Sequence, residues 1–506
     1  MAMDETQPLL RSTIQAQQGP DKAAHPTDIV DFDPNGDPEN PRDWPTAYKW
    51  GIVALLAFMA FTVTFTCISV VPVANRIVYD LDGTNSKSAS VLLVTIWEFG
   101  EAFGPLVLAP LSESLGRYPV FNVANVLFIS ATVLAALCQS TPLFIAARAL
   151  TGVAVASNVL NPAIVGDMFV SEQRGSAMSF IMLAPLLGGA IGPAIAGAIA
   201  ETLGWRQVLW VGVALASACE VAFLTCFRET YKVAILNRRV ARLRKETGNL
   251  ALRTAVDVDD AEADVKRTTK LWDSVLRPFV VFFDSGVLQA MSLFGSLVFT
   301  YFYVMSTTLP DILEGIYGLS PALTGFTFIS FSVGSVISVI ICNLFLDRIY
   351  IRLRDAAAAK KGFSSSSSEG QPEYRLPLAI IGGFTLPFMV ALYGWAAELR
   401  LPLPVLILVL VLLGNALMLG FIPLMAYVVD AFKLYSASAM TALIVTRCLM
   451  GTFLPLGVEP LVKAMGYGWG FSILCALSLL TAPIPVFIYR YGAKWRRMCP
   501  YTEPEN

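Results

Sequence analysis

Glu98 and Glu101 stand inside an apolar stretch, at 88–111, where an ionised side chain has no water to meet. Their i, i+3 spacing puts both on one face of a helix. Glu98 lies about ten residues, roughly 15 Å at 1.5 Å per residue, from the nearer end of that stretch. Two carboxylates on one face in a low dielectric cannot both ionise cheaply, so one is expected to hold a proton that it can exchange. Two basic residues, Arg148 and Arg447, also fall inside apolar stretches. Arg148 could reach the glutamates, either as part of proton coupling or as a structural Glu–Arg bridge. Arg447, with no acidic neighbour on its own helix, is either a ligand for an anionic substrate or the partner of carbonyls and a distant carboxylate. Asn158, Asn161, Gln289, Tyr301, Tyr303 and Asn415 are the polar side chains that could line a cavity. Each could equally hydrogen-bond between helices. A stripe of Phe58, Phe61 and Phe65 reads as packing. The single histidine, His25, lies outside every apolar stretch, which excludes an intramembrane histidine relay. The eight cysteines have no metal-site spacing and read as small apolar residues. No Gly-x-Ser-x-Gly, nucleotide-binding Gly-x-x-x-x-Gly-Lys-Ser/Thr or metal motif is present, so neither an enzyme nor a cofactor is expected.

The elements that must hold these residues are membrane helices. The 506-residue chain is 55% hydrophobic and 15% charged, with a mean hydropathy of +0.62. Apolar runs about long enough to cross a hydrocarbon core of roughly 30 Å are predicted at 50–72, 88–111, 119–138, 142–166, 176–200 and 207–227. A second set follows at 286–308, 322–346, 376–397, 402–429, 436–459 and 468–489. The fold class is therefore an all-α membrane protein of twelve transmembrane helices. The expected domains are a disordered cytoplasmic arm (1–49), a six-helix bundle (50–227), a cytoplasmic linker (228–285), a second bundle (286–490) with a cytoplasmic insertion at 347–375, and a tail (491–506). No secretory signal peptide is expected. Residues 231–245 are basic at helical spacing and predict a solvated or interfacial helix rather than a regulatory site; the serine run within 356–371 predicts a flexible loop.

With the N-terminus inside, 29 of the 36 Lys and Arg fall in cytoplasmic segments and five (Arg76, Lys87, Arg206, Arg400, Lys463) outside. That asymmetry predicts cytoplasmic termini. The net charge of −2 gives no footprint for nucleic acid.

The halves echo each other. Val165-Gly166-Asp167-Met168-Phe169 matches Val428-Val429-Asp430-Ala431-Phe432 at an offset of 263, and Ser112-Glu113 matches Leu346-Asp347 at an offset of 234. The difference is about the length of the 347–375 insertion. Two six-helix pseudo-repeats of this kind build many secondary transporters, with the substrate site between them. Asp167 and Asp430 at matching helix ends favour gating or capping.

Several segments resemble the major facilitator superfamily, and within it the fungal twelve-span drug:proton antiporters, over about 40–490. Asn40-Pro41-Arg42-Asp43-Trp44 is similar to that branch's entry motif. Gly104-Pro105-Leu106, then Ala109-Pro110-Leu111-Ser112-Glu113-Ser114-Leu115-Gly116-Arg117, resembles the superfamily's loop signature, with Ala109 for a glycine, Glu113 for the aspartate and Tyr118 for a second basic residue. Small residues there would allow close helix approach, and Glu113 with Arg117 could pair with neighbouring helix ends as a latch. Arg148-Ala149-Leu150-Thr151-Gly152 is similar to a motif whose arginine is associated with proton coupling. Gly188, Gly189, Gly192, Pro193 and Gly197 resemble the antiporter signature of the fifth helix, where Gly192 would permit tight packing and Pro193 a bend. The resemblance implies proton-driven export of a small amphipathic organic compound such as a drug, toxin or secondary metabolite. Its partners would be substrate, protons and lipid, the chain a monomer, and the location the plasma membrane, or else a vacuolar or vesicle membrane. The alternative is a proton-coupled carrier of a polyamine or organic anion.

Overall fold

The computed structural model describes residues 29–33, 36–249, 252–254, 267–361, 370–499 and 501–502. The first half comprises α1 (Thr46–Ile68), α2 (Ala74–Asp82), α3 (Lys87–Leu115), α4 (Arg117–Leu137), α5 (Thr141–Val153), α6 (Ser157–Met168), α7 (Ser171–Thr202) and α8 (Trp205–Cys226). A linker helix, α9 (Lys232–Thr247), and α10 (Arg267–Asp284) precede the second half. That half holds α11 (Gly286–Gly315), α12 (Pro321–Lys361), α13 (Pro377–Glu398), α14 (Leu403–Phe432), α15 (Ser436–Thr481) and α16 (Ile484–Arg496). Two short strands, β1 (Ile29–Val30) and β2 (Arg253–Thr254), pair in parallel.

Among the described residues, ten helical stretches are long and apolar enough to cross a membrane. The expected crossing at 142–166 is divided between α5 and α6. The expected eleventh and twelfth crossings share one helical stretch, which reverses at Gly466 with φ +79°, a backbone conformation that favours glycine. The predicted loop from 356 begins as helix, because α12 runs on to Lys361; residues 362–369 lie outside the described residues.

Helix starts follow local chemistry. The Ser86 hydroxyl accepts from the Ala89 N–H to open α3, and Ser285 does the same for Leu288 at α11. Prolines inside α3, α7, α14 and α15 persist because neighbouring helices cover the backbone groups they free. The halves meet along two seams, α3 on α15 and α7 on α12.

The arm expected to be disordered is held over its second half. Lys232, Arg239 and Arg242 of α9 pair with Asp31 (3.0 Å), Asp37 (2.5 Å) and Glu39 (3.5 Å). The Trp44 indole donates to Pro38 O, and the Tyr48 hydroxyl donates to Cys226 O. The basic face of α9 therefore has acidic partners from its own chain, while Leu236 and Val240 are buried. Burial pushes the Asp37 carboxyl up, but bonds from Arg239 and the Glu39 and Asp33 N–H groups outweigh it and hold it below the usual carboxylate range. A depressed carboxyl contributes stability above its ordinary range and loses it only as pH falls through the lowered value. The strap should thus hold unchanged between pH 5 and 8. Asp37→Asn removes a charged hydrogen bond of about 1.5 kcal/mol, so hydrogen exchange across 36–44 should quicken about tenfold; unchanged exchange would show that the ion pair does not hold the arm.

Candidate functional site

The site begins with how closely α3 and α5 approach. A Cβ built on Gly100 would lie 2.1 Å from Ala149 O, and one on Gly152 would lie 2.1 Å from Trp97 O. Gly104 faces Val153 O in the same way, at 2.6 Å. These glycines let the two backbones touch; Glu98 and Glu101 then face the second half, while the Trp97 ring packs on Phe128 within the first.

There the glutamates are 1% and 5% exposed. The Arg447 guanidinium donates to Glu101 Oε1 at 2.9 Å and lies over the Phe299 ring. The Trp97 indole donates to Glu101 Oε2 at 3.2 Å. The Tyr303 hydroxyl donates to Glu98 Oε1 at 2.5 Å, whereas Glu98 Oε2 is buried with no hydrogen-bond partner. Both glutamates belong to the first half, and Tyr303 and Arg447 to the second. The site therefore straddles the α3–α15 seam.

Arg148 does not reach the pair. Its guanidinium donates to Thr66 O (3.1 Å) and Cys67 O (2.8 Å) and lies over the Trp97 ring. The physical reason is the end of α1 at Ile68: carbonyls in the last turn of a helix, Thr66 O and Cys67 O among them, lack intrahelical N–H partners. Arg148 thus caps α1 and steadies Trp97, which in turn holds Glu101. The Glu–Arg bridge expected within the first half is replaced by one between halves, Glu101–Arg447.

The other candidate cavity residues do not converge on the pair. The Tyr301 hydroxyl donates to Leu474 O and accepts from Ser478, inside the second half. Gln289 donates to Phe282 O and Phe283 O at the mouth of an apolar groove of about 630 Å³ between α11 and α15. Asn161 is buried, with its Oδ1 unpartnered, and Asn415 is half-buried on α14. Asn158 lies on α6, but its side chain is outside the described residues.

At the face carrying the linker, the expected latch takes a different form. Arg117, whose helix begins after Gly116 (φ +102°), pairs with Asp167 at 3.5 Å, and Glu113 is exposed. A residue missed in the sequence, Glu229, accepts from the Arg117 and Tyr118 N–H groups and so caps α4. Nothing marked it among the linker's many charges. In the second half Arg375 takes the place of Arg117, bridging Asp347 (2.5 Å) and Asp430 (2.7 Å). Pro105 lies inside α3, behind Gly104.

Along α7, Gly188 lies against Phe61 O (2.8 Å for a built Cβ) and Gly197 against Pro321 O (2.2 Å). Gly192, expected to be the tight contact, is in ordinary contact with Phe65 at 3.4 Å, because α7 diverges from α1 there and closes on α12 instead. The Pro193 carbonyl lies 2.0 Å from a Cβ built on Gly325. The face opposite the linker is closed by polar contacts: Asn75 and Lys87 donate to Asp311, Ser88 to Glu459, and the Ala322 N–H to Glu201. Between this far side and the buried pair the Thr452 hydroxyl also donates across the seam, to Thr95 O at 3.3 Å. The ion pairs at the linker face stay within one half.

Donor atoms of Glu98, Glu101 and Cys448 lie within 4.8 Å of one another. Arg447 already pairs with Glu101, and Tyr303 occupies one Glu98 oxygen, which leaves Glu98 Oε2 as the carboxylate oxygen of this cluster with no hydrogen-bond partner. The cysteines are free thiols among the described residues.

Comparison with known proteins agrees with this architecture. The chain is 34% identical to "Efflux pump radE" of Floropilus chiversii, over 92% of this chain and 85% of that protein. It is 32% identical to "MFS-type transporter penM" of Penicillium rubens, over 94% and 91%. The xylose transporter XylE from E. coli shares the fold with a TM-score of 0.64 at 15% identity, over 88% of this chain and 98% of that one. The human organic anion transporter MFSD10 shares it at 0.59 and 17%, over 87% and 100%. The family match itself extends over residues 51–455, and the chain belongs to the Major Facilitator Superfamily.

Proposed function

We propose that this protein is a proton-coupled exporter of a small amphipathic organic compound, a transporter and not an enzyme. The observation that supports this most is the buried Glu98/Glu101 pair, placed on the seam that must part when the halves rock and bonded there to Tyr303 and Arg447 of the other half. A proton site built across the moving seam ties proton binding to conformation, which antiport requires. The positive-charge asymmetry supports a cytoplasmic linker face, which makes the closed far face the non-cytoplasmic one; export from the cell would put the protein in the plasma membrane, and sequestration in a vacuolar or vesicle membrane. The names of the fungal relatives, efflux pump and transporter, support export. A monomer contains both halves of the site. An anion carrier, which an unpaired Arg447 would favour, loses that support because Arg447 is paired with Glu101.

The test is expression in a yeast strain stripped of its own exporters, screened against a panel of amphipathic compounds. At least one compound should be excluded from cells only when the protein is present, and an uncoupler should abolish that exclusion while ATP remains. Export that continues on ATP after the proton gradient has collapsed would overturn the proposal.

A further inference from the structure

We infer that the transported proton is carried by Glu98, on Oε2, and that Tyr303 is the positioning residue through which the second half holds it; this rests on the proposal that the pair is the proton site. The two carboxylates share a helix face but not an environment. Glu101 has a donor on each oxygen, Arg447 on Oε1 and Trp97 on Oε2, and one of these is a fixed cation. It is provided for as an anion. Among the described residues, Glu98 has no cation bonded to it: its donors are the Tyr303 hydroxyl on Oε1 and the weakly donating Cys448 thiol. Its Oε2 is buried without a partner.

The wall around Oε2 explains why. A Cβ on Gly451 would lie 3.5 Å from that oxygen, so α15 meets Oε2 there with a bare backbone position. The charged or titratable groups packed about Glu98 are few. Its own α3 contributes Glu101, α15 contributes Arg447 and Cys448, α11 contributes Tyr303, and α1 contributes Cys67. Arg148 of α5 is turned to the α1 carbonyls. The nearby cation is committed to Glu101. An ionised Glu98 would leave part of its charge on an oxygen without a donor in a low dielectric, and a group so placed takes up a proton instead.

The step is simple and balanced: hydronium gives its proton to Oε2, an O–H bond forms there, and water leaves. Tyr303 keeps its own proton and donates to Oε1, which becomes the carbonyl oxygen of the neutral acid. Tyr303 belongs to the half that moves away when the far face opens. Opening therefore removes the hydrogen bond and lets water reach Glu98. That movement makes proton exchange depend on conformation.

Infrared difference spectra of the full-length protein in lipid, acid minus neutral, test this without any substrate. The wild type should show a protonated-carboxyl C=O band that shifts in heavy water. Glu98→Gln should abolish it, and Glu101→Gln should retain it. Because Glu101→Gln leaves Arg447 unpaired and could fail to fold, Glu101→Gln/Arg447→Met serves as the second variant and should also retain the band. Tyr303→Phe should move the band to higher frequency, since a hydrogen bond to the carbonyl is lost; a tyrosine that only fills space would leave it in place. Loss of the band in Glu101→Gln and in its double variant, with retention in Glu98→Gln, overturns the assignment but leaves proton coupling by the pair standing. A band untouched by either glutamate substitution overturns both readings. An unmoved band in Tyr303→Phe overturns the role of Tyr303.

Discussion

Arg447→Met is expected to shift the protein out of the state closed on its far face by about a hundredfold. The guanidinium donates to Glu101 across the seam, and both groups are largely buried, at 13% and 7% side-chain exposure. Removing one member of such a pair leaves an uncompensated charge and costs about 3–5 kcal/mol. The lower end of that range is a little over a hundredfold. The cost falls on the closed state in particular, because the pair crosses the seam and Glu101 can meet water once the halves part. The helices themselves lose nothing, so folded protein should persist. Removing both charges, in Arg447→Met/Glu101→Gln, should restore much of the closed population, since no charge is left buried and the glutamine can still accept from the Trp97 indole. Spin labels at Leu203 and Leu399, exposed positions next to the far-face turns of the two halves, report the change as a longer distance in the single variant. Identical distance distributions in wild type and Arg447→Met would show that the pair does not hold the seam.

How much of this was legible beforehand depends on the range over which each interaction acts. The membrane helices are local properties of composition and were readable from apolar run length. So was the Glu98/Glu101 pair, because an i, i+3 carboxylate pair in an apolar stretch stands out within one turn. The partner of the pair was not. Arg447 is 346 positions from Glu101, and only the packing of α3 on α15 brings them together. Arg148 stood out for the same reason as the glutamates, but nothing local showed that α1 would end at Ile68 and claim it with bare carbonyls. Tyr301 and Tyr303 looked alike in sequence. Two positions along a helix turn a side chain about 200°, so one faces Ser478 within its own half and the other faces Glu98. Glu229 was hidden for the opposite reason: one more charge in a charged linker carries no mark until the chain turns back to cap α4.

Gly197→Ala and Gly325→Ala are each expected to abolish most transport while leaving the protein abundant in the membrane. The contact they belong to is reciprocal. Gly197 of α7 faces the carbonyl of Pro321 on α12, and Gly325 of α12 faces the carbonyl of Pro193 on α7. A methyl group at either glycine would come within 2.2 Å or 2.0 Å of a backbone oxygen. A flexible side chain could swing away; a helix backbone cannot, so the helices must separate. Overpacking of this kind costs about 1–3 kcal/mol, and here it is borne only by the state in which α7 and α12 are closed on the far side. Each substitution should therefore favour the open state about tenfold or more, and the cycle should stall for want of closure. The same spin-label pair reads the shift, and efflux of the compound identified in the uncoupler experiment reads the stall. Gly192→Ala is the internal control. It lies on the same helix and in the same motif, but its nearest neighbour would be an ordinary 3.4 Å contact with Phe65, so transport should stay near the wild-type level. If Gly325→Ala transports normally with an unchanged distance distribution, the α7–α12 contact is not a closing surface. If Gly192→Ala instead fails as badly as Gly197→Ala, the motif acts through the α1 side of the helix, and the seam assigned here is the wrong one.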